Sequence, residues 1–405
     1  MNCDTNGKGY KLRVVHLITS TSGGAAQAAI RLHESLIESG YDSKVISVQR
    51  RKNPVYTKEV RFQKIDKFRL YKSSALTLLQ QRLIQAGGDP VSPISLDLID
   101  WQDPDIEAAD VLHLHAFYNL VSVKSFLVKF PSKKKVITLH DERLYTGGCH
   151  VSHDCLGFVS GCQKCPQVNH VFRSLVEKQK RDLGNLMSNY SNAVIVCPSS
   201  WILNRAKVAL HELHGSNFFQ VYNPIPSVNA QPFKNDTGGP KIRFGFVSQS
   251  LDNPIKNLPL LLCAFKELTN LNPEKYSLTL VGTSEKSYSM EHPMIAQTIV
   301  RNPAELQVVL SAIDVLVVPS TQDNLPNVLG EALMNGVGLI GSDVGGIPEV
   351  IDTFKQSLFE SGDLHGLIEA MANYKLTDRK KLQVMAEEVF GYKTIADKMK
   401  TIYSL

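Results

Sequence analysis

Short, apolar, β-branched runs alternate with longer helical segments along nearly the whole chain, and this alternation leaves few folds open. Leu12 to Thr19 is such a run; a small-residue loop, Ser20 to Gly24, follows it, and then a helical pattern from Ala25 to Ser39 that Gly40 stops. Lys44 to Val48, Val111 to His115, Val136 to His140 and Ala193 to Pro198 repeat the motif. Runs this short and this uniformly apolar suit strands buried on both faces, hence a parallel sheet covered by helices on either side. After the polar, Gly- and Pro-containing stretch Gln231 to Pro240 the pattern restarts at Ile242 to Val247, Ser277 to Val281, Asp314 to Val318 and Gly338 to Ser342. The expectation is an α/β protein of two doubly wound, Rossmann-like domains, 1–230 and 231–390, with a last helical segment 391–405. Ligands of such sheets bind beyond the carboxyl ends of the strands, so the active site is expected in the cleft between the two sets of strand-end loops.

A length of 405 residues suits two domains, and 43% hydrophobic with 20% charged residues is a globular composition. No run of about 18 uninterrupted apolar residues occurs, and Met1 to Lys11 is polar, with no apolar signal core. A cytoplasmic protein is expected. The net charge of +5 is modest and favours acidic partners such as phosphates or anionic lipid headgroups. Nucleic acid is not an expected partner, because no aromatic-basic recognition motif occurs.

Pro319 to Gly336 follows directly on the run ending at Val318 and carries two acids, Asp323 and Glu331, eight positions apart. Pro326 suits the first turn of a helix and Gly336 its end, which leaves Asp323 in the preceding loop and Glu331 inside the helix. Free N–H groups at that helix start can receive an anion, and each carboxylate can accept hydrogen bonds from a pair of hydroxyls. Those are the needs of a sugar nucleotide. The plainer alternative makes Asp323 a loop cap and Glu331 a solvated helix charge.

The segment resembles the E-x7-E motif of family-four retaining glycosyltransferases, with Asp in place of the first Glu, and Gly341 to Val350 resembles the loop that follows it there. The resemblance implies the GT-B arrangement of two facing Rossmann-like domains, a ribose contact for Glu331 and a contact to the transferred sugar for Asp323. Gly245 to Leu258 stands where the family shows Gly-Arg-Leu and then a Lys; Lys256 matches that Lys, while Ser248, Gln249 and Ser250 take the place of the Arg. An ammonium fixed beside the diphosphate would stabilise the charge that grows on the leaving group. The family also implies metal-independent, retaining transfer, without a cofactor, from a UDP- or GDP-sugar.

In the first half, Ser22-Gly23-Gly24-Ala25 lets the backbone approach a ligand at a helix start. It is not the G-x-G-x-x-G fingerprint, which disfavours a nicotinamide enzyme, and it resembles the first loop of the same glycosyltransferases. His113 and His115 end a strand on one face. The resemblance makes His115 the residue that reaches the transferred sugar, and His140 with Asp141, at the next strand end, a second candidate for sugar or acceptor contacts. The expected site is therefore Asp323, His115 and Lys256 for catalysis; Glu331, Lys256, Gln249, Ser248, Asn324, Leu325, Asn327 and Gly24 for the donor; and Gly23, Gly24, His140 and Asp141 for the acceptor. A sugar-nucleotide epimerase and a non-catalytic glycan- or nucleotide-sensing scaffold are the rival readings.

Cys149, Cys155, Cys162 and Cys165 lie in one Gly-containing loop; seven cysteines in a chain without a secretory signal point to reduced thiols or metal ligands. Cys162-x2-Cys165 has the spacing of a zinc half-site and the first pair does not, so structural zinc, free thiols, a disulfide and an iron–sulfur cluster all stay open. The passage from Thr138 to Pro166 resembles a subgroup of bacterial exopolysaccharide glycosyltransferases, including colanic-acid and O-antigen types, and so implies a glycan acceptor, lipid-linked. Arg61 to Lys72 interleaves cations with aromatic residues, as a segment touching the inner membrane would, although a solvated helix is the commoner cause. Asp103-Pro-Asp105 looks like a metal-binding D-x-D but reads as a helix-starting turn.

Overall fold

The computed structural model describes residues 11–49, 60–190, 192–211, 213, 217–228, 242–288 and 292–405. The expected linker Gln231 to Pro240 and nearly all of the amino-terminal segment Met1 to Lys11 lie outside the described residues. The first sheet comprises β1 (Arg13–Ser20), β2 (Asp42–Gln49), β3 (Val60–Phe62), β4 (Val111–Leu114), β5 (Lys134–Thr138), β6 (Val194–Cys197) and β7 (Phe218–Gln220). Their order is β3-β2-β1-β4-β5-β6-β7, parallel throughout. The second comprises β8 (Ile242–Ser250), β9 (Tyr276–Thr283), β10 (Ile295–Thr298), β11 (Val315–Val318), β12 (Gly338–Ser342) and β13 (Ser357–Phe359), in the order β10-β9-β8-β11-β12-β13, again parallel.

Strand order reverses between β1 and β4 in one sheet and between β8 and β11 in the other. Crevices open at such switch points, beyond the carboxyl strand ends. The Gly-rich loop after β1, the His loop after β4, the Lys256 loop after β8 and the Asp323 loop after β11 all leave from them. Glycines fix the helices that follow: Gly40 (φ +85°) ends the helix Gly24–Glu38, and Gly336 (φ +67°) ends Asn327–Met334, where an added Cβ would lie 2.7 Å from the Arg379 carbonyl oxygen.

The last helix, Tyr392–Ser404, packs Ile395, Ala396, Met399 and Ile402 against Val14, Leu36, Val111 and Val136 of the first domain. Tyr392 donates its hydroxyl to Glu34 at 2.6 Å, and Tyr403 lies 2.8 Å from His113 Nδ1. Ile225, from the end of the first domain, is buried with Leu329 and Phe390 of the second, and its N–H donates to the Phe390 carbonyl at 2.9 Å. Among the described residues no helix is long and apolar enough to cross a membrane.

Candidate active site

The loop after β11 is shaped by what packs beneath it. Gly345 (φ +59°) and Gly346 lie directly under the backbone of Asp323 and Asn324, where a Cβ on Gly345 would sit 1.5 Å from the Asp323 carbonyl oxygen. The Gly346 N–H donates to the Asn324 carbonyl at 2.8 Å, and Thr321 N–H donates to Ile255 at 2.8 Å, tying this loop to the one after β8. Lys256 ends a short 3-10 turn, Pro254–Lys256, and its Nζ forms an ion pair with the Asp323 carboxylate. Ser248 bonds back to the Ser250 carbonyl, and Gln249 is exposed at the end of β8. Leu325 packs on the core beside the helix start.

The two domains meet through this loop. Asn324 accepts from Ser199 at 2.7 Å and donates to the Leu139 and His140 carbonyls at 2.9 and 3.3 Å, at the end of β5. Asn327 donates to the Gly24 carbonyl at 2.9 Å and accepts from Asn223 at 2.8 Å. Gly23 takes φ +95° to turn the chain into its helix. Gln322 donates to Glu142 at 2.9 Å, and Glu142 also takes bonds from Tyr145, Ser152 and Arg205. Glu331, expected to await a ribose, is buried and accepts from Arg31 Nη2 at 2.6 Å. The sequence reading missed Arg31; its only signal was a cation about two helical turns beyond Gly24.

His115 is placed differently from the expectation that it touches the transferred sugar. Its ring is buried between His16 (Nδ1 to Nε2, 3.0 Å) and His140 (Nε2 to Nδ1, 3.1 Å), and His140 is the partly exposed member. His113 lies tilted against His115 with ring centres 4.1 Å apart, and its nitrogens meet Tyr403 and Thr138. Burial, reinforced by the neighbouring imidazoles, drives the pKa of His16, His113 and His115 well below the usual value, and burial lowers His140 to about 4 despite nearby Asp141. A neutral imidazole has one donor and one acceptor. Two successive nitrogen–nitrogen bonds therefore make His16, His115 and His140 all point their protons the same way, so the tautomer His140 presents is coupled to His16. Burial would raise the Asp141 pKa, but His150, bonded to it at 2.8 Å, and the Arg143 N–H hold it below the usual range.

Among the described residues, His16, His113 and His115 are the one set of three metal-ligating residue types whose ligand atoms lie within 4.8 Å of each other. Cys149, Cys155, Cys162 and Cys165 are free; Cys149 and Cys165 share a thiol hydrogen bond that lowers the Cys165 pKa to about 6 and raises that of Cys149. The decoy Asp103 caps the helix Pro104–Ala108 and pairs with Arg61, which also bonds Asp105 at 3.0 Å, so both acids are engaged.

Residues 241–374 match the family model described as Glycosyl transferases group 1. The second domain is a group 1 glycosyltransferase domain. It contains Lys256, Asp323 and Glu331, three of the residues on which the resemblance rested. The chain is similar to the putative colanic acid biosynthesis glycosyl transferase WcaC of Escherichia coli K12, at 26% identity over 266 residues, 60% of this chain and 62% of the relative. The chain thus spans less than two thirds of that relative's length. Its fold is that of GT-B glycosyltransferases: the crystal structure of Anabaena HepE with UDP superposes with a TM-score of 0.59 at 13% identity, covering 97% of this chain and 100% of that one. WaaG, a glycosyltransferase involved in lipopolysaccharide biosynthesis, gives 0.59 at 11% identity, covering 96% and 99%.

The histidine cluster sets a pH dependence for folding around the group 1 domain's partner. A buried histidine with a lowered pKa is neutral when folded but titrates near 6.5 when unfolded, so its contribution is complete above about pH 6.5 and is lost as the pH falls below it. Asp141, also depressed, titrates below that window. Urea unfolding at pH 7.5, 6.5 and 5.5 is expected to show stability falling on the acid side by up to about 1.4 kcal/mol per pH unit for each such histidine. His16→Gln should reduce the slope by about one proton. A first domain equally stable at pH 7.5 and 5.5 contradicts the neutral cluster.

Proposed function

We propose that the chain is a retaining glycosyltransferase that moves a sugar from a UDP- or GDP-sugar to a lipid-linked glycan in bacterial surface polysaccharide synthesis. The observation that carries the reading is Lys256 paired with Asp323 at the switch point of the group 1 domain, with Asn324 reaching across to the first domain. A diphosphate at this place gives Lys256 a second anion, frees Asp323 for the sugar hydroxyls and faces the N–H groups at the start of Asn327–Met334. Glu331 takes the ribose. The acceptor hydroxyl attacks on the face from which the diphosphate leaves, near His140, and the reaction needs no metal. The UDP held by the structurally similar HepE favours a uridine donor. Purified protein is expected to gain thermal stability with one class among UDP-, GDP-, ADP- and dTDP-sugars without added metal, and Glu331→Ala to lose that gain. Lys256→Ala should lower turnover by about 10²–10³-fold. No gain with any nucleotide would leave a glycan-binding scaffold as the better reading.

The protein works, in this reading, at the cytoplasmic face of the inner membrane. The helix Lys67–Leu79 buries only Ser73 and exposes Phe68 and Tyr71 by 61% and 73%, among Lys67, Arg69 and Lys72. Such a face suits anionic lipid. Flotation with phosphatidylglycerol vesicles but not phosphatidylcholine vesicles is expected, with loss in Phe68→Asp/Tyr71→Asp; equal behaviour with both lipids counts against the contact.

Zinc on Cys149, Cys155, Cys162 and Cys165 belongs to the same reading as a fastening of the loop, remote from the transfer, and needs these thiols to draw closer than they stand, since no three of them gather within 4.8 Å. Elemental analysis of protein purified without chelator should find one zinc per chain. Its absence would leave the Cys149–Cys165 thiol pair as the loop's own fastening.

A further inference from the structure

The first domain carries a cavity of about 510 Å³ between the helix Arg173–Asn189 and the loops at Ser92–Ser95 and Ser122–Lys124. It has the size of a small-molecule site. A second, small cavity of about 30 Å³ reaches from His115, His140 and Asp141 to Phe117 and Arg143, and these last two residues line both. Arg143 is the wall between the large cavity and the transfer site.

The state of Arg143 shows what the large cavity is built for. Its side chain is fixed: Nε donates to the Ser92 carbonyl at 3.0 Å, Nη2 to Ser95 Oγ at 2.7 Å, and the guanidinium lies over Phe117, 4.8 Å from the ring centre. The residue is 92% buried, being 8% exposed, and Nη1 has no hydrogen-bond partner. No described carboxylate bonds the guanidinium; the Asp141 oxygens are taken by His150 and by the Arg143 backbone N–H. Asp141 acts on this charge without bonding it, and a buried cation that no anion bonds directly is costly to keep. Burial already lowers its pKa to about 10. Lys124 adds a second cation at the rim, and the acid that lines the cavity, Asp182, is paired with Lys178.

Resting on the glycosyltransferase reading above, we infer that this cavity binds the acceptor glycan through an oxyanion on it, a hexuronate carboxylate or a phosphate, seated on Arg143. A guanidinium fork matches either group in two parallel hydrogen bonds. The exposed amides of Asn185 and Asn189, with Gln179, give the hydroxyl contacts of the sugar, and Phe117 and Leu186 cover its apolar face. An acceptor held there presents its next hydroxyl toward His140.

The test is binding to the full chain without donor, by calorimetry, using methyl glucuronide for the carboxylate, geranyl diphosphate for the phosphate and methyl glucoside as the neutral control. One anionic probe is expected to bind about tenfold or more tightly than the glucoside, and Arg143→Lys, which keeps the charge and loses the fork, to weaken it by about tenfold. Asn185→Trp, on the exposed rim, fills the cavity and should abolish binding in a chain whose fold is untouched. The winning probe tells a uronate-bearing glycan from a phosphate-bearing one. Equal binding of the glucoside and both anions, or anion binding that Arg143→Lys and Asn185→Trp leave unchanged, overturns the inference. Nucleotide binding dependent on Glu331 is read separately, so a lost anion site with an intact donor site removes this inference alone, and the reverse removes the transferase reading alone.

Discussion

Arg31 and Glu331 form an ion pair across the two domains, with side chains only 4% and 10% exposed, and the geometry of the cleft hangs on it. Burying two charges is costly and is offset only when they meet well; removing one leaves the other uncompensated, a loss of about 3–5 kcal/mol. The pair ties the helix Gly24–Glu38 to the helix Asn327–Met334, and their starts then meet where Asn327 bonds the Gly24 carbonyl. Asn324 lands on the end of β5 in the same way. Any ligand that Glu331 anchors has to share this carboxylate with Arg31 or displace it.

The two sides of the cleft are chemically unlike. The group 1 domain offers a small set of charges, Lys256, Asp323 and Glu331, on loops held by glycine backbone contacts. The first domain offers imidazoles kept neutral by burial and a buried carboxylate, Glu142, satisfied by Arg205, Tyr145, Ser152 and the cross-domain Gln322. A neutral His140 beside the cleft leaves Lys256 as the cation of the Asp323 loop. It remains able to exchange a hydrogen bond with a hydroxyl, which suits the acceptor side.

How much of this could be read in the sequence follows from burial. The nine central strands were legible because each is an apolar run covered on both faces. The four that were not, β3, β7, β10 and β13, are the two edges of each sheet; they are three or four residues long and partly exposed, so no continuous apolar run marks them. Asp323, Glu331 and Lys256 stood out through their resemblance to a family motif after strand ends, and the structure brings Lys256 to Asp323 and Arg31 to Glu331. Arg31 and Arg143 did not stand out, since one lies on a helix face and the other in a charged run after β5, and only the fold shows that both are buried. The pairing of His115 with His16 joins positions 99 residues apart, which spacing cannot reveal.

The domains are joined by two seams of opposite character, and this difference bears on how the cleft can work. The cleft seam is polar: around the buried Arg31–Glu331 pair, which is costly to part, Asn324, Asn327 and Gln322 bond across it, and these hydrogen bonds can be exchanged for ones to a ligand or to water at modest net cost. The other seam is apolar, made by Ile225 against Leu329 and Phe390 and by the last helix against β1, β4 and β5. Exposing that second surface would forfeit roughly 25 cal/mol for each Å² of apolar area. Parting the two domains at the cleft therefore costs least where these hydrogen bonds lie, while the apolar seam at Ile225 and Phe390 is the one that resists separation.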